Sequence, residues 1–181
     1  MNNSIAVQTA WAIDPTHSEI YFKVKHMMVS TVTGAFNEFD GSVQSDNEDF
    51  ENANIAFSAN ISSIDTKNKQ RDEHLKSDDF FNAAQFPQLS FQSKSFNKKS
   101  NGDYRLVGDL TIRDNTHEVE LTVEYNGTVV DPYGQTKAGF EIAGKISRKA
   151  YGLKWNALTE AGGIMVSDEV RLAINVQLIK Q

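Results

Sequence analysis

The residues of this chain able to do acid–base or metal chemistry are His17, His26, His74 and His117, set among 24 aspartates and glutamates. Their spacing argues against catalysis. The histidines are far apart, and no His-Glu-x-x-His pair exists to hold zinc beside a general base. With no cysteine there is no thiolate nucleophile, cysteine-ligated zinc or disulfide framework. A Gly-x-Ser-x-Gly elbow and a phosphate-cradling glycine loop are also missing. Asp72, Glu73 and His74 are consecutive, and adjacent helix residues point different ways, so they read as a solvated helix face. His17 follows Pro15-Thr16 and reads as a turn residue. Neither a metal nor a cofactor is expected. His26, His117 and Arg148 differ because each stands at one end of an apolar stripe. At the mouth of a container, such groups would meet a polar or anionic head group.

The elements that would position them repeat at every second residue. Ile20, Phe22 and Val24 alternate with polar neighbours, as do Ile55, Phe57, Ala59 and Ile61. Leu106, Gly108, Leu110 and Ile112 follow, then Val119, Leu121 and Val123, then Phe140, Ile142, Gly144 and Ile146. Val170, Leu172, Ile174, Val176 and Leu178 close the series. A period of two places one side-chain set on one face of a strand. So many amphipathic strands bury their apolar faces by closing or doubling the sheet.

Strands are expected over residues 11–13, 18–27, 31–43 and 54–64, and again from residue 88 to about residue 179. Gly34 and the shift from Phe36 to Phe39 mark a bulge or bend. Asn101-Gly102 predicts a tight hairpin, Asp114-Asn115-Thr116 a turn, and Asp131-Pro132-Tyr133-Gly134 a type I turn. Residues 68–86 break the alternation and read as helical. Asp65 would cap a helix whose exposed face carries Lys67, Arg71, Asp72 and Lys76, with Phe80 and Phe81 in a second short turn. Residues 1–9 read as a flexible arm, and residues 10–181 as one domain.

Composition narrows the partners. A net charge of −6 argues against nucleic acid and anionic membrane surfaces, which call for a basic patch. No apolar run is long enough for stable membrane insertion, and the first residues lack a signal-peptide pattern, so a cytoplasmic location is expected. Eleven phenylalanines predict a large apolar interior, each stabilising by roughly 1.5–3 kcal/mol when fully buried. Ala59, Gly108 and Gly144 share the parity of large inward residues. They would either leave a bore or mark the bends that closure needs.

Four blocks carry a resemblance. The first is Trp11-x-Ile13-Asp14-x-x-His17-Ser18-x-Ile20-x-Phe22-x-Val24-x-His26, continuing through Ser30, Val32, Gly34 and Phe36. The second is Arg71-Asp72-x-His74-Leu75-Lys76-Ser77-x-Asp79-Phe80-Phe81, followed by Phe86-Pro87 and Phe91. The third is Leu106-x-Gly108-x-Leu110-Thr111-Ile112, with Thr116 and Val119. The fourth is Ser147-Arg148-x-x-Tyr151-Gly152-Leu153, with Asp168-Glu169-Val170. Together they resemble the YceI-like family of lipocalin-like, polyisoprenoid-binding proteins. The chain departs from it at Asp114-Asn115, where many relatives have glycine, and in lacking the secretory signal of periplasmic relatives.

The resemblance implies an all-β, antiparallel, lipocalin-like barrel of about eight strands with a short helical insertion at one end. It also implies a long-chain isoprenoid, such as a polyisoprenoid or isoprenoid quinone, as ligand, and a homodimer as in some relatives. Other amphiphiles, a fatty acid or fatty amide, stand as the alternative cargo, and a ligand-free β-sandwich as the alternative fold. The expected apolar cavity comprises Ile20, Phe22, Val24, Phe36, Phe57, Leu75, Phe80, Phe81, Phe91, Leu106, Leu110, Leu121, Val123, Phe140, Ile142 and Ile174. If the strands alternate up and down, His26, His117 and Arg148 share one end with the helical segment, which would form a lid with Leu75, Phe80 and Phe81.

Overall fold

The computed structural model describes residues 8–46, 49–157 and 165–181. Among these residues eleven strand segments and one α-helix follow in order: β1 (Thr9–Ile13), β2 (Glu19–His26), β3 (Ser30–Phe36), β4 (Phe39–Ser45), β5 (Asn54–Asn60), β6 (Ile64–Asp65), α1 (Lys69–Lys76), β7 (Gln88–Lys98), β8 (Tyr104–Ile112), β9 (Asn115–Val130), β10 (Thr136–Ser147) and β11 (Val166–Lys180). Residues 1–7 of the expected arm lie outside the described residues, and Thr9 already pairs with Ser45.

The segments make eight staves. β1 and β2 lie in succession along β11, through Ile13↔Leu178 and Asn175↔Glu19. β4 pairs with β1 and β3 with β2, so β3 and β4 form the next stave. β5 pairs with β4 and β6 with β3, giving the third. β7 to β11 are single staves, each antiparallel to its neighbour. Pairing of β1 with β11 closes the ring. A closed ring of eight antiparallel staves is a barrel, and the sandwich alternative falls with that closure.

Three staves break side by side. Asp14-Pro15 interrupts the first: proline has no N–H for the ladder, and the buried Asp14 carboxylate accepts from Thr16 N, Thr16 Oγ1 and His17 Nδ1. Asn37-Glu38 interrupts the second, and a short 3₁₀ turn, Ile61–Ser63, the third. Asn37 N donates to Ser63 O and Asn60 N to Glu38 O across these two breaks. The strands expected over 31–43 and 54–64 are therefore each folded once along a shared crease.

Local corrections are small. Asn68, rather than Asp65, caps α1, its Oδ1 accepting from Arg71 N at 3.0 Å. Asn101-Gly102 lies in a longer connection closed by Lys99 N to Asp103 O, with Gly102 at φ +93°. The turn expected at residues 114–116 begins one residue earlier, because Ile112 already faces Asn115. Asp131–Gly134 turns as expected, Gly134 N donating to Asp131 O at 3.1 Å.

Candidate functional site: a one-ended apolar cavity

A cavity of about 570 Å³ runs inside the barrel, within the size range of small-molecule sites. All sixteen apolar positions expected to face inward line it. Its floor is aromatic. Phe50, 2% exposed, packs 5.1 Å from Trp11, 5.7 Å from Tyr125 and 5.1 Å from Phe140, ring centre to ring centre. It comes from the link between β4 and β5 in a left-handed conformation, φ +64°. Alternation alone reads that acidic stretch as a plain turn. A lone phenylalanine among Asp46, Asp49 and Glu51 is the signal available there.

The other end carries the polar groups. The chain enters or leaves it at His26, Ser30, Asp65, Gln88, Ile112, Asn115, Ser147 and Val166, as up-and-down staves require. The exposed Lys25, Asn68 and Gln70 line the cavity there, so this end opens to solvent. α1 and the turn after it cover part of the opening. Leu75 lines the cavity from α1, Phe81 meets Phe36 edge to face at 6.0 Å, and Phe80 lies 5.1 Å from His74. Arg113 pins the segment from the β8–β9 turn, donating to Asp78 O, Phe80 O and Asp78 Oδ1, each at 2.9 Å. From the opposite side, Trp155 packs on His74 at 4.8 Å.

The glycines leave no vacancy. A Cβ on Gly108 would sit 2.4 Å from Phe91 Cζ and 2.5 Å from Gln92 O; one on Gly144 would sit 2.3 Å from Leu121 Cδ2. Gly108 also faces the register shift in β7 between Ser93 and Ser95. The reading as bends holds for Gly108. At Gly34 the Phe22 ring occupies the same kind of space, its Cζ only 2.2 Å from where a Cβ would stand. Glycine thus lets large neighbours lie flat on the wall.

The three polar mouth residues diverge. His26 and Arg148 line the cavity; His117 does not. The β9–β10 ladder ends at Thr122↔Ala143, and a 3₁₀ turn, Lys149–Tyr151, packs on β9 beyond it. His117 turns to that wedge, donating from Nε2 to Ala150 O at 2.8 Å and packing edge to face on Tyr151 at 5.0 Å. Val119 and Leu121, of the same parity, still line the cavity, so His117 is the first of that stripe to leave it. Arg148 is 3% exposed and donates to Ser167 O, Leu153 O, Trp155 O and Val166 O. Burial holds its pKa below the usual arginine value, with Asp168 opposing. Asp168 is held below the ordinary carboxylate range: burial alone would raise it, and hydrogen bonds from Ser147 Oγ and Lys149 N prevail.

Arg71 and His74 are expected on a solvated face, and both line the cavity instead. Arg71 folds back on the buried Thr66, donating from Nε to Oγ1 at 2.7 Å and from Nη2 to the carbonyl at 2.6 Å. Asp72 also serves Thr66, accepting from its N and Oγ1. Helical periodicity could not reveal this, because a residue before the helix supplies the acceptors. Among the described residues, no group of three or more His, Asp or Glu is arranged to hold a metal.

The chain matches the YceI-like domain over residues 11–178. A UPF0312 protein of Staphylococcus epidermidis is 38% identical over 170 residues, covering 93% of this chain and 96% of its own length. Among solved structures, the YceI protein of Campylobacter jejuni superposes with a TM-score of 0.74 at 28% identity, over 87% of this chain and 90% of that one. Burkholderia cenocepacia BcnA gives 0.78 at 22% identity, over 91% and 98%. A polyisoprenoid-binding domain from Saccharophagus degradans, implicated in plant cell wall breakdown, gives 0.66 at 14%, over 94% and 98%. The last two are likenesses of fold.

Proposed function

The chain belongs to the YceI-like family, and from that premise we propose that it binds a long-chain isoprenoid, a polyisoprenoid or isoprenoid quinone, and sequesters or carries it through water without catalysis. The observation that carries this reading is the shape and chemistry of the cavity: apolar along the barrel, floored by Phe50, and open at one end where His26 and Arg148 stand. A long tail needs a greasy channel, and each buried methylene contributes ~0.8 kcal/mol. The polyisoprenoid-binding domain of the same fold supports the ligand class. Fatty acids and fatty amides have the same shape and are the alternative cargo.

Native mass spectrometry of the purified protein, read beside its organic extract, tests the proposal. The expected result is a recurrent bound mass that the extract identifies as a long-chain lipid. A lipid-free protein that also refuses added isoprenoid quinone and fatty amide would overturn it.

A further inference from the structure

Two short apolar patches stand in solvent, and their surroundings differ. Val129, Val130 and Tyr133 are exposed at the closed end, around Asp131. Met27, Met28 and Val29 are 43%, 64% and 82% exposed at the open end, in the turn between β2 and β3. Val29 N closes that turn on His26 O at 3.2 Å, and φ is +50° at Met27 and +59° at Met28. A turn with two positive φ angles favours Asn-Gly, because a Cβ is crowded in the left-handed region. The two methionines instead hold long apolar side chains in water on a backbone that disfavours them. Reversal of the chain alone gives no reason for either.

The turn is fixed to the cavity wall. Met27 N donates to Met165 O at 2.7 Å, Ser167 Oγ donates to Met28 Sδ at 3.5 Å, and His26 pairs with Val166. His26, Met165 and Val166 line the cavity, so the exposed turn is continuous with the bore. Three of the chain's four methionines meet at this point.

Cations stand behind it. Lys25 is exposed two residues before Met27. Farther back on the outer wall, Lys145 faces Arg171 across β10 and β11, and Arg171 faces Lys23 across β11 and β2. Like charges directly opposite one another on a sheet are destabilising. Lys145 has Glu169 at 3.5 Å, whereas Lys23 and Arg171 have no ion-pair partner among the described residues. At ~3.3 Å per residue, Lys23 lies ~13 Å behind Met27, about one Debye length. The net charge of −6 argues against an anionic surface for the chain as a whole, but not for this wall.

We propose that the open end docks on a lipid bilayer bearing anionic head groups. Met27, Met28 and Val29 enter the interface, and Lys23, Lys25 and Arg171 stand over the charged surface. An apolar tip backed by cations supplies the two attractions that hold a peripheral protein on a membrane. Only a turn is immersed, and nothing spans the bilayer. Docking goes beyond the lipid-binding reading and is measured without cargo, so its failure leaves that reading untouched.

The test is flotation with vesicles of phosphatidylcholine, alone or with about one-third phosphatidylglycerol, at ~0.1 M salt. The parent should bind the anionic vesicles at least about fivefold more tightly than the neutral ones. Met27→Asn/Met28→Gly suits the turn, so it should melt no lower than the parent, yet bind anionic vesicles at least about tenfold more weakly. Val29→Asp, at a fully accessible position, should weaken binding in the same direction. Lys23→Gln/Arg171→Gln should lose most of the anionic preference, and Val129→Thr/Val130→Thr at the closed end should bind as the parent does. A parent that floats with neither vesicle, binding that survives both turn variants, an anionic preference that survives loss of the cations, or equal loss in the closed-end variant would overturn the inference. So would a parent dimer that Met27→Asn/Met28→Gly converts to monomer, which would assign the turn to a second copy of the chain.

Discussion

Two buried side chains at the open end make opposite demands on their surroundings. Arg148 is satisfied by four carbonyls, so it ties Leu153, Trp155, Val166 and Ser167 to the end of β10. Tyr151 is 2% exposed, and its hydroxyl has no hydrogen-bond partner among the described residues. Truncating Arg148 to alanine would leave those acceptors buried and should destabilise the protein by about 3–5 kcal/mol, read as a lower denaturant midpoint. Tyr151→Phe removes an unpaired group and should stabilise by about 1 kcal/mol at neutral pH. Burial pushes the Tyr151 pKa up to about 12, so the folded state holds its proton more tightly than the unfolded state. Stability from this residue is therefore complete below pH 10 and falls as pH rises toward 12. Thermal melts across that range should lose less stability in Tyr151→Phe than in the parent.

At the scale of elements, the strands were legible because their inward residues alternate strictly, and the crease was half legible. Gly34, and Phe36 followed by Phe39, announced a bend in one strand. Nothing in residues 54–64 announced that the neighbouring stave would break beside it, because that break answers to pairing across the sheet. His117 differs for a related reason: Val119 and Leu121 keep the inward face, but the 3₁₀ turn after β10 offers Ala150 O and the Tyr151 ring to the next residue of that parity. Arg71 was invisible to helix periodicity because Thr66, outside the helix, turns it. The glycines show the same dependence on neighbours, and a contrasting pair of variants tests it. A methyl at Gly108 meets the carbonyl of Gln92, which is backbone and cannot move cheaply; at Gly144 the close contact is with the end of Leu121. Gly108→Ala should cost about 1–3 kcal/mol by overpacking and Gly144→Ala under about 1, measured by chemical unfolding.

The whole molecule joins a closed apolar floor to an open cationic rim, and its stability should depend on what fills the space between. An empty apolar cavity forfeits the contacts its lining would otherwise make, so the delipidated barrel is the less stable form. A ligand that binds only the folded state stabilises it by RT ln(1 + [L]/Kd), about 2.7 kcal/mol at a hundredfold excess over Kd. For a domain of this length each kcal/mol shifts Tm by about 2–4 °C. Delipidation should therefore lower Tm by roughly 5–10 °C, and added long-chain lipid should restore it in proportion to the logarithm of its concentration. Gly34→Ala supplies the internal control. Its methyl would displace the Phe22 ring from the wall into the bore. That variant should lose most of the lipid-dependent rise in Tm, because the space the tail needs is occupied by the protein's own ring. An unchanged rise in Gly34→Ala would place the stabilising lipid outside the barrel.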